Sequence, residues 1–176
     1  LSSSSAASDV YKRQGKIRAF SRTHENHSIT PVDSNGYLDA EKIPANSLLT
    51  VQIVNGETGI VQDIETLKAK AEMVVLDATY SGPRIPLGEN WDGAIFSGQA
   101  WGGPSGFSMM AIANPQQWRY PLPHIAPIRT PGGYSLPLLL GAAVALENFK
   151  EEPTKIASLN HCLLYTSPSP RDVEES

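Results

Sequence analysis

The stretch LLTVQIV at residues 48–54 determines the fold class of this chain. Its apolar and β-branched residues fall on both faces of an extended segment, as expected of a strand that is buried between helices. A second stretch of this kind, MVVL at residues 73–76, ends at Asp77. Between the two, residues 63–72 carry apolar side chains at helical spacing and predict a connecting helix. The pattern therefore predicts two buried strands joined by a helix.

The same reading extends to the rest of the chain. The sequence predicts strands at residues 16–21, 92–96 and 107–113, a turn at 31–36, a short helix at 39–43, a break at 55–59, a Pro- and aromatic-rich connection at 114–131, and a closing helix at 136–150. Strands that alternate with helices indicate an α/β sheet, and ligand sites in such sheets lie in the loops at the strand ends.

Composition narrows the functional classes. The chain has 176 residues, of which 40% are hydrophobic and 18% charged, which suits one globular domain or a piece of a larger one. The net charge of −4 offers no electrostatic reason to bind nucleic acid or an anionic membrane. The longest apolar run, residues 136–146, is shorter than the roughly 20 residues that a membrane-spanning helix needs. Without a secretory signal pattern or a second cysteine, we expect a cytoplasmic protein with no internal disulfide.

The two ends differ in character from the rest of the chain. Residues 1–14 and 162–176 resemble translated sequencing adapters of the kind found in metagenomic libraries. Residues 10–13 can be encoded by a string whose reverse complement lies inside a permitted coding of residues 162–166. The alternative is a flexible Ser-rich arm and a Ser/Pro tail. We expect adapter contamination, with the native sequence confined to residues 15–161.

A Gly-rich loop carries the strongest resemblance to a known family. SGQAWGGPSG at residues 97–106 resembles the cofactor-lysine loop of cysteine desulfurases, SGHKFGGPKG, in which the lysine holds pyridoxal phosphate as a Schiff base. Gln99 and Ala100 stand at the His-Lys pair. A methyl group forms no imine and relays no proton, so the resemblance implies loss of both covalent anchoring and lysine-based catalysis.

Further segments resemble cysteine desulfurases and the wider class V aminotransferase family, in the same order along the chain. They are PVDSNG at 31–36, NGETG at 55–59 with Gln62, DATYS at 77–81 and GAAVALE at 141–147. The resemblance covers most of residues 15–161. It implies part of the large domain of a fold-type-I pyridoxal-phosphate protein, with a mostly parallel sheet that carries helices on both faces.

The resemblance assigns cofactor roles to five residues. Asp77 would accept the hydrogen bond of the protonated pyridine nitrogen. Asn55 would lie near the cofactor ring, and Tyr80 replaces a glutamine that bonds the phenolic oxygen. Ser97 and the glycine-rich backbone around it would supply donors to the phosphate, and Gln99 could donate where the family has histidine. The alternatives are a capping Asp after a strand, an Asn-Gly turn and a tight glycine turn.

Two functional hypotheses follow from Ala100. In one, the parent protein still uses pyridoxal phosphate, held non-covalently, in sulfur or amino-group transfer on an amino acid substrate with another base. In the other, it is a pseudoenzyme that binds or regulates without the family chemistry. The resemblance also implies a homodimer for the full-length parent. A third possibility is an assembly artefact with no function as written.

Candidate replacements and metal ligands elsewhere in the chain are weak. Lys68 and Lys70 lie on the predicted helix 63–72 and are better explained as solvated surface charges than as substitutes for the missing lysine. His24 and His27 have the His-x-x-His spacing but lack a third ligand, so no metal site is expected.

Overall fold

The structure, a computed structural model, describes residues 2–3, 26–116, 118–119 and 134–149. These residues form a sheet flanked by two α-helices and three short 3₁₀ turns. The strands are β1 (Ser2–Ser3), β2 (Leu48–Gln52), β3 (Met73–Asp77), β4 (Gly93–Ser97) and β5 (Ser108–Ile112). The helices are α1 (Ile64–Lys68) and α2 (Leu136–Phe149), and the 3₁₀ turns are Ala40–Lys42, Gly82–Arg84 and Gly98–Trp101.

The strands lie in the sheet in the same order as in the chain. Strands β1 to β4 pair in parallel, and β5 pairs with β4 antiparallel. This arrangement confirms the expected α/β class with a mostly parallel sheet. The antiparallel β5 follows directly on the loop 98–107, because that loop turns the chain back along β4.

The buried side chains of β2 and β3 confirm why the two apolar runs decide the fold. Leu49 and Val51 on β2 and Val74 and Leu76 on β3 are almost fully buried. These four side chains pair in register on one face of the sheet, where Leu67 of α1 belongs to the same apolar cluster. The other face is only partly buried, and Met73 is 45% exposed there, so the expected burial on both faces is not observed in full. Central parallel strands therefore anchor the edge at which the candidate site lies.

Helix α1 is shorter than the sequence predicts, since it covers five residues of the expected ten at 63–72. The backbone N–H groups of Glu72 and Met73 both donate to the Ser47 carbonyl, at 3.1 and 3.2 Å. These bonds begin the approach to β3, so the chain must leave the helix before Glu72. Tertiary pairing overrides the helical pattern here.

The N-terminus of α1 offers a test of the local fold. Asp63 caps the helix, and its carboxylate accepts from the Thr66 hydroxyl at 2.6 Å and the Thr66 N–H at 3.2 Å. The Thr66 side chain, more than the backbone bonds, holds the Asp63 pKa below its usual value. The stabilisation is therefore present above the unfolded-state pKa and is lost as the pH falls through the lower folded-state pKa.

We expect Asp63→Ala to lower the free energy of unfolding by about 1 kcal/mol at neutral pH. Asp63→Asn keeps a capping oxygen, so it should retain neutral-pH stability but lose part of the stability decrease below pH ~4. Urea unfolding at neutral pH and at acid pH measures both effects. An acid dependence unchanged in Asp63→Asn would contradict the assigned linkage.

Several sequence predictions lie outside the described residues. These include the strand at 16–21, His24 and most of the connection at 114–131. Of residues 1–14 only 2–3 are described, and none of 162–176 is, so adapter contamination stays a prediction. In the described part of the chain, neither helix has the length and apolar character needed to cross a membrane.

Candidate functional site

Three neighbouring strands bring their loops to one edge of the sheet. Strands β2, β3 and β4 are parallel, and Asp77 pairs in register with Gln52 on one side and Ile95 on the other. The loops that follow these strands therefore lie side by side. Carboxyl ends of parallel strands are where α/β sheets bind their ligands. This edge contains all five residues expected to bind a cofactor.

Asp77 ends β3 with its carboxylate held in a fixed orientation. The Thr79 backbone N–H and hydroxyl both donate to Asp77 Oδ1, at 2.9 and 2.6 Å. No described residue donates to Oδ2, and the side chain is half-buried. The carboxylate thus keeps one acceptor oxygen at the sheet edge. The role of Thr79 was not predicted, although an Asp side chain often accepts a hydrogen bond from the backbone N–H two residues further on.

Asn55 uses its side-chain oxygen inside its own loop. The residue is 4% exposed, and Oδ1 accepts from the N–H groups of Glu57 and Thr58 at 2.9 and 3.0 Å. Backbone bonds from Gly59 to Asn55 and from Asn55 to Ile60 close the loop. The Asn-Gly turn, which was the alternative prediction for this segment, is therefore formed. Cofactor binding by Asn55 stays a prediction.

Tyr80 lies against the loop that follows β2. A Cβ atom built on Gly56 would meet three atoms of the Tyr80 ring at 2.8, 2.8 and 2.9 Å. The tyrosine remains 39% exposed. Gly56 is thus required by the close approach of an aromatic ring, a signal that the sequence alone did not reveal.

The loop after β4 is stabilised largely by its own backbone. The Gly98 N–H donates to the Phe107 carbonyl at 3.0 Å, and the Gly103 N–H donates to the Gly98 carbonyl at 2.8 Å. The Gly102 N–H donates to the Gln99 carbonyl. These amides, expected as phosphate donors, are engaged within the loop. Ser97 is half-buried and its hydroxyl does not cap the following 3₁₀ turn, and the Gln99 side chain is exposed. The backbone N–H groups of Gly98, Gly102 and Gly103 are therefore not available as phosphate donors in this arrangement.

Ala100, where the sequence resemblance implies a lysine, is a packing residue. It is 8% exposed and clusters with Trp101 and Ala142. A Cβ built on Gly82 would lie 2.6 Å from the Ala100 methyl, so these two residues meet as closely as a glycine permits. The Arg84 guanidinium donates to the Ala100 carbonyl oxygen. Position 100 thus joins the loops after β3 and β4.

The same joint extends to α2. Trp101 Nε1 donates to the Ala142 carbonyl at 2.9 Å, and the Trp101 ring meets Phe107 edge-on with centroids 6.3 Å apart. The Arg84 guanidinium lies 5.0 Å from the centre of the Phe149 ring. The loop that carries residue 100 is therefore held from both sides, which limits its freedom to rearrange.

The three lysines in the described ranges are all engaged in ion pairs. Lys42, Lys68 and Lys70 form ion pairs with Asp39, Asp92 and Glu41, respectively. Lys68 also donates to the Glu72 carbonyl at 2.7 Å. Lys70 is exposed, as expected of a surface charge, but it lies beyond the end of α1. Lys68 is half-buried in its ion pair with Asp92, so the expectation of a solvated charge is wrong for this residue. Across the same ranges, no group of three or more His, Cys, Asp or Glu residues is arranged to hold a metal ion.

A buried hydroxyl at this edge was missed by sequence reasoning. Ser81 is 3% exposed, and its Oγ has no hydrogen-bond partner among the residues that the structure describes. It precedes Gly82, which contacts Ala100. An unsatisfied buried hydroxyl costs stability, so its presence beside the site is unusual.

Comparison with known proteins supports the fold. No protein-family model matches this chain, and no curated protein sequence matches it. Among solved structures, a NifS-like protein aligns with 88% of the chain at a TM-score of 0.70 and 23% identity. The fold is part of the NifS-like fold. A NifS-like protein from Rickettsia africae aligns with 95% of the chain, at a TM-score of 0.63 and 21% sequence identity. The apo cysteine desulfurase of Thermococcus onnurineus aligns with 63% of the chain, at a TM-score of 0.53 and 21% sequence identity.

The chain spans about half the length of the NifS-like structures that it matches, 47% and 52%, and 31% of the cysteine desulfurase. The NifS-like likeness therefore describes a partial fold. At these identities it concerns the fold, and the chemistry of the site has to be argued from the residues present.

Proposed function

We propose that this chain is part of a cysteine desulfurase-like protein that binds pyridoxal phosphate non-covalently and has lost the lysine-dependent chemistry. The observation that carries the proposal is the contrast between Asp77 and Ala100. Asp77 presents an oriented carboxylate with an acceptor oxygen at the ligand edge of the sheet. Ala100 is instead buried against Gly82.

The residues present fit the cofactor as a non-covalent ligand. Asp77 Oδ2 would accept from the protonated ring nitrogen, which keeps the ring an electron sink. The Ser97 hydroxyl and the Gln99 amide would donate to the phosphate, and Tyr80 would lie beside the ring. Asn55 would act by holding its loop in place through the bonds to Glu57 and Thr58.

The residues do not fit covalent anchoring. Ala100 carries no amine, and the three described lysines are ion-paired away from this loop. The lysine that serves as general base in the family chemistry is therefore missing from this loop. This favours a binding or regulatory pseudoenzyme over an active sulfur- or amino-group transferase, which would need a base supplied by another part of the parent protein.

The remaining parts of the proposal concern the parent protein. We propose that it is cytoplasmic, forms a homodimer and binds a small amino acid. The support is the resemblance of the sequence motifs and, for the location, the sequence composition. Size-exclusion chromatography with light scattering on the parent tests the dimer, and a monomer would exclude it.

Pyridoxal phosphate should bind to the 176-residue chain without forming a lysine adduct. We expect saturable binding in equilibrium dialysis, and no stoichiometric adduct on any single lysine by mass spectrometry after borohydride reduction. Asp77→Asn keeps an oxygen for Thr79 but loses the charge, so affinity should fall about tenfold or more.

Asp33→Asn is the matched control, because Asp33 accepts from Asn35 and Tyr37 in an exposed turn and asparagine can do the same. Its affinity should equal that of the wild type. Failure of the wild-type chain to bind would overturn the proposal. A stoichiometric adduct on one lysine would show that covalent anchoring survives.

A further inference from the structure

Two donors of Thr79 converge on one oxygen of Asp77. The Thr79 hydroxyl donates to Asp77 Oδ1 at 2.6 Å, and the Thr79 backbone N–H donates to the same atom at 2.9 Å. Both residues are half-buried. Two bonds to one oxygen restrict rotation of the carboxylate about its Cβ–Cγ bond and leave Oδ2 without a partner among the described residues. The carboxylate at the end of β3 is therefore oriented, but only one of its oxygens is used.

A second aspartate–threonine pair in the same chain shows the contrasting arrangement. At the start of α1, the Thr66 hydroxyl donates to Asp63 Oδ2 at 2.6 Å and the Thr66 N–H donates to Asp63 Oδ1 at 3.2 Å. Both oxygens of that carboxylate therefore serve the helix cap. The hydroxyl bonds of the two pairs have the same length, but of these two pairs only the one at the sheet edge keeps an oxygen to which no described residue donates.

The hydrogen-bonding pattern of the Asp77–Thr79 pair defines what it can bind. An ionised carboxylate is an acceptor only, and the hydroxyl hydrogen of Thr79 is used in the bond to Oδ1. Asp77 Oδ2 consequently offers an acceptor at a fixed place on the sheet edge. A site built around such an acceptor favours a ligand that donates from the matching position over one that does not. A ring nitrogen that carries a hydrogen is such a donor, whereas a ring C–H group is not.

We propose that Thr79 is a positioning residue that makes Asp77 select a planar ring carrying an N–H donor, such as a protonated pyridine. This inference rests on the proposed function and adds to it a residue that acts through Asp77 and not by contact with the ligand. Loss of the hydroxyl would leave Asp77 with the backbone bond alone, so the carboxylate would rotate more freely and Oδ2 would be in place less often. Thr79 therefore contributes to selectivity for the ring nitrogen.

Two probes measure this selectivity in the 176-residue chain. Pyridoxine 5′-phosphate has the ring and the phosphate of the proposed cofactor but no aldehyde, so it forms no imine with any lysine. Its 1-deaza analogue has a C–H group in place of the ring nitrogen. In equilibrium dialysis, the wild type should bind pyridoxine 5′-phosphate about tenfold or more tightly than the analogue. Thr79→Val replaces the hydroxyl with a methyl group and should reduce this ratio about three- to tenfold without weakening binding of the analogue.

Three further variants separate positioning from a merely structural effect. Thr79→Ser keeps the hydroxyl and should restore the ratio to within about twofold of the wild type. Thr66→Val removes a hydroxyl-to-carboxylate bond of the same length at Asp63, so it should lower the folding stability but leave the ratio unchanged. In Asp77→Asn the charged acceptor is absent, and adding Thr79→Val should therefore reduce the ratio no further.

The outcomes distinguish this inference from the proposed function. If the wild type does not bind pyridoxine 5′-phosphate, the proposed function fails and the positioning role fails with it. If the wild type binds but prefers neither probe, or if Thr79→Val leaves the ratio unchanged, only the positioning role is overturned. Equal weakening of both probes by Thr79→Val, or failure of Thr79→Ser to restore the ratio, would assign Thr79 a structural role and also overturn it. Thermal unfolding checks that each variant is folded, and Thr79→Ala takes the place of Thr79→Val if the valine variant is not.

Discussion

Gly82→Ala should lower the free energy of unfolding by about 2–4 kcal/mol, a large loss for a single methyl group. Gly82 has a φ of +49°, a conformation that costs an alanine energy. The added Cβ would also lie 2.6 Å from the methyl of Ala100, inside a buried cluster. Strain and overpacking therefore act together, and urea unfolding measures their sum.

Gly88→Ala is the matched control for the strain alone. Gly88 has a φ of +68° but no atom within 4 Å of its hypothetical Cβ, so its alanine variant should cost only about 1 kcal/mol. Ala100→Gly removes the methyl that would collide and should recover the overpacking part of the Gly82→Ala loss. If Gly82→Ala lowers the free energy of unfolding no more than Gly88→Ala does, the Ala100 methyl does not crowd a side chain at position 82, and the prediction is wrong.

The comparison of these variants also tests how residue 100, where the resemblance implies lysine, is packed. The contact with Gly82 and the bond from Arg84 place residue 100 in a packed joint between two loops. Rescue of Gly82→Ala by Ala100→Gly would demonstrate that the side chain at position 100 is directed into this joint. It would also explain why alanine is accommodated here when the resemblance implies lysine.

Gln62→Leu is expected to cost about 2–5 kcal/mol, because it removes two hydrogen bonds to buried or partly buried backbone groups. Gln62 is 5% exposed. Its Oε1 accepts from the Leu38 N–H and its Nε2 donates to the Gly36 carbonyl, both at 2.9 Å. Leucine has a similar size but leaves the N–H and the carbonyl without partners.

Gln116→Leu makes the same substitution at an exposed position and should change stability by less than about 0.5 kcal/mol. Chemical denaturation of both variants gives the comparison. Equal effects at the two sites would show that the Gln62 bonds do not hold the turn 31–36 against the loop after β2. These two hydrogen bonds also give Gln62 a structural role. The motif resemblance of the segment 55–62 had assigned it none.

The strands were predictable because runs of apolar and β-branched residues leave a local trace, although the fully buried residues of β2 and β3 lie on one face of the sheet and Met73 on the other face is 45% exposed. Residues 48–52 and 73–77 read as apolar runs, and both form strands close to the expected bounds. The closing helix also matches, ending at Phe149. Helix α1 was predicted too long, since its C-terminal end depends on the Ser47 carbonyl, which is remote in sequence.

The candidate site was predictable in position but not in detail. Asp77 follows a buried strand, so its place at the ligand edge could be inferred from the sequence. The engagement of the Asn55 oxygen by Glu57 and Thr58 and of the Gly98 and Gly103 amides within their loop could not. Donors and acceptors in a loop can serve either the backbone or a ligand, and residue type does not distinguish the two.

The sequence by itself determined the α/β class, the sheet edge that carries the candidate site residues and the absence of an amine at position 100. These properties depend on residue identity and local periodicity. Only the tertiary structure decided that Ala100 packs on Gly82, that the Tyr80 ring closely approaches Gly56, and that Gln62 joins a turn 26 residues away. Such contacts join segments distant in the chain, and they depend on how the sheet brings its loops together rather than on any local pattern.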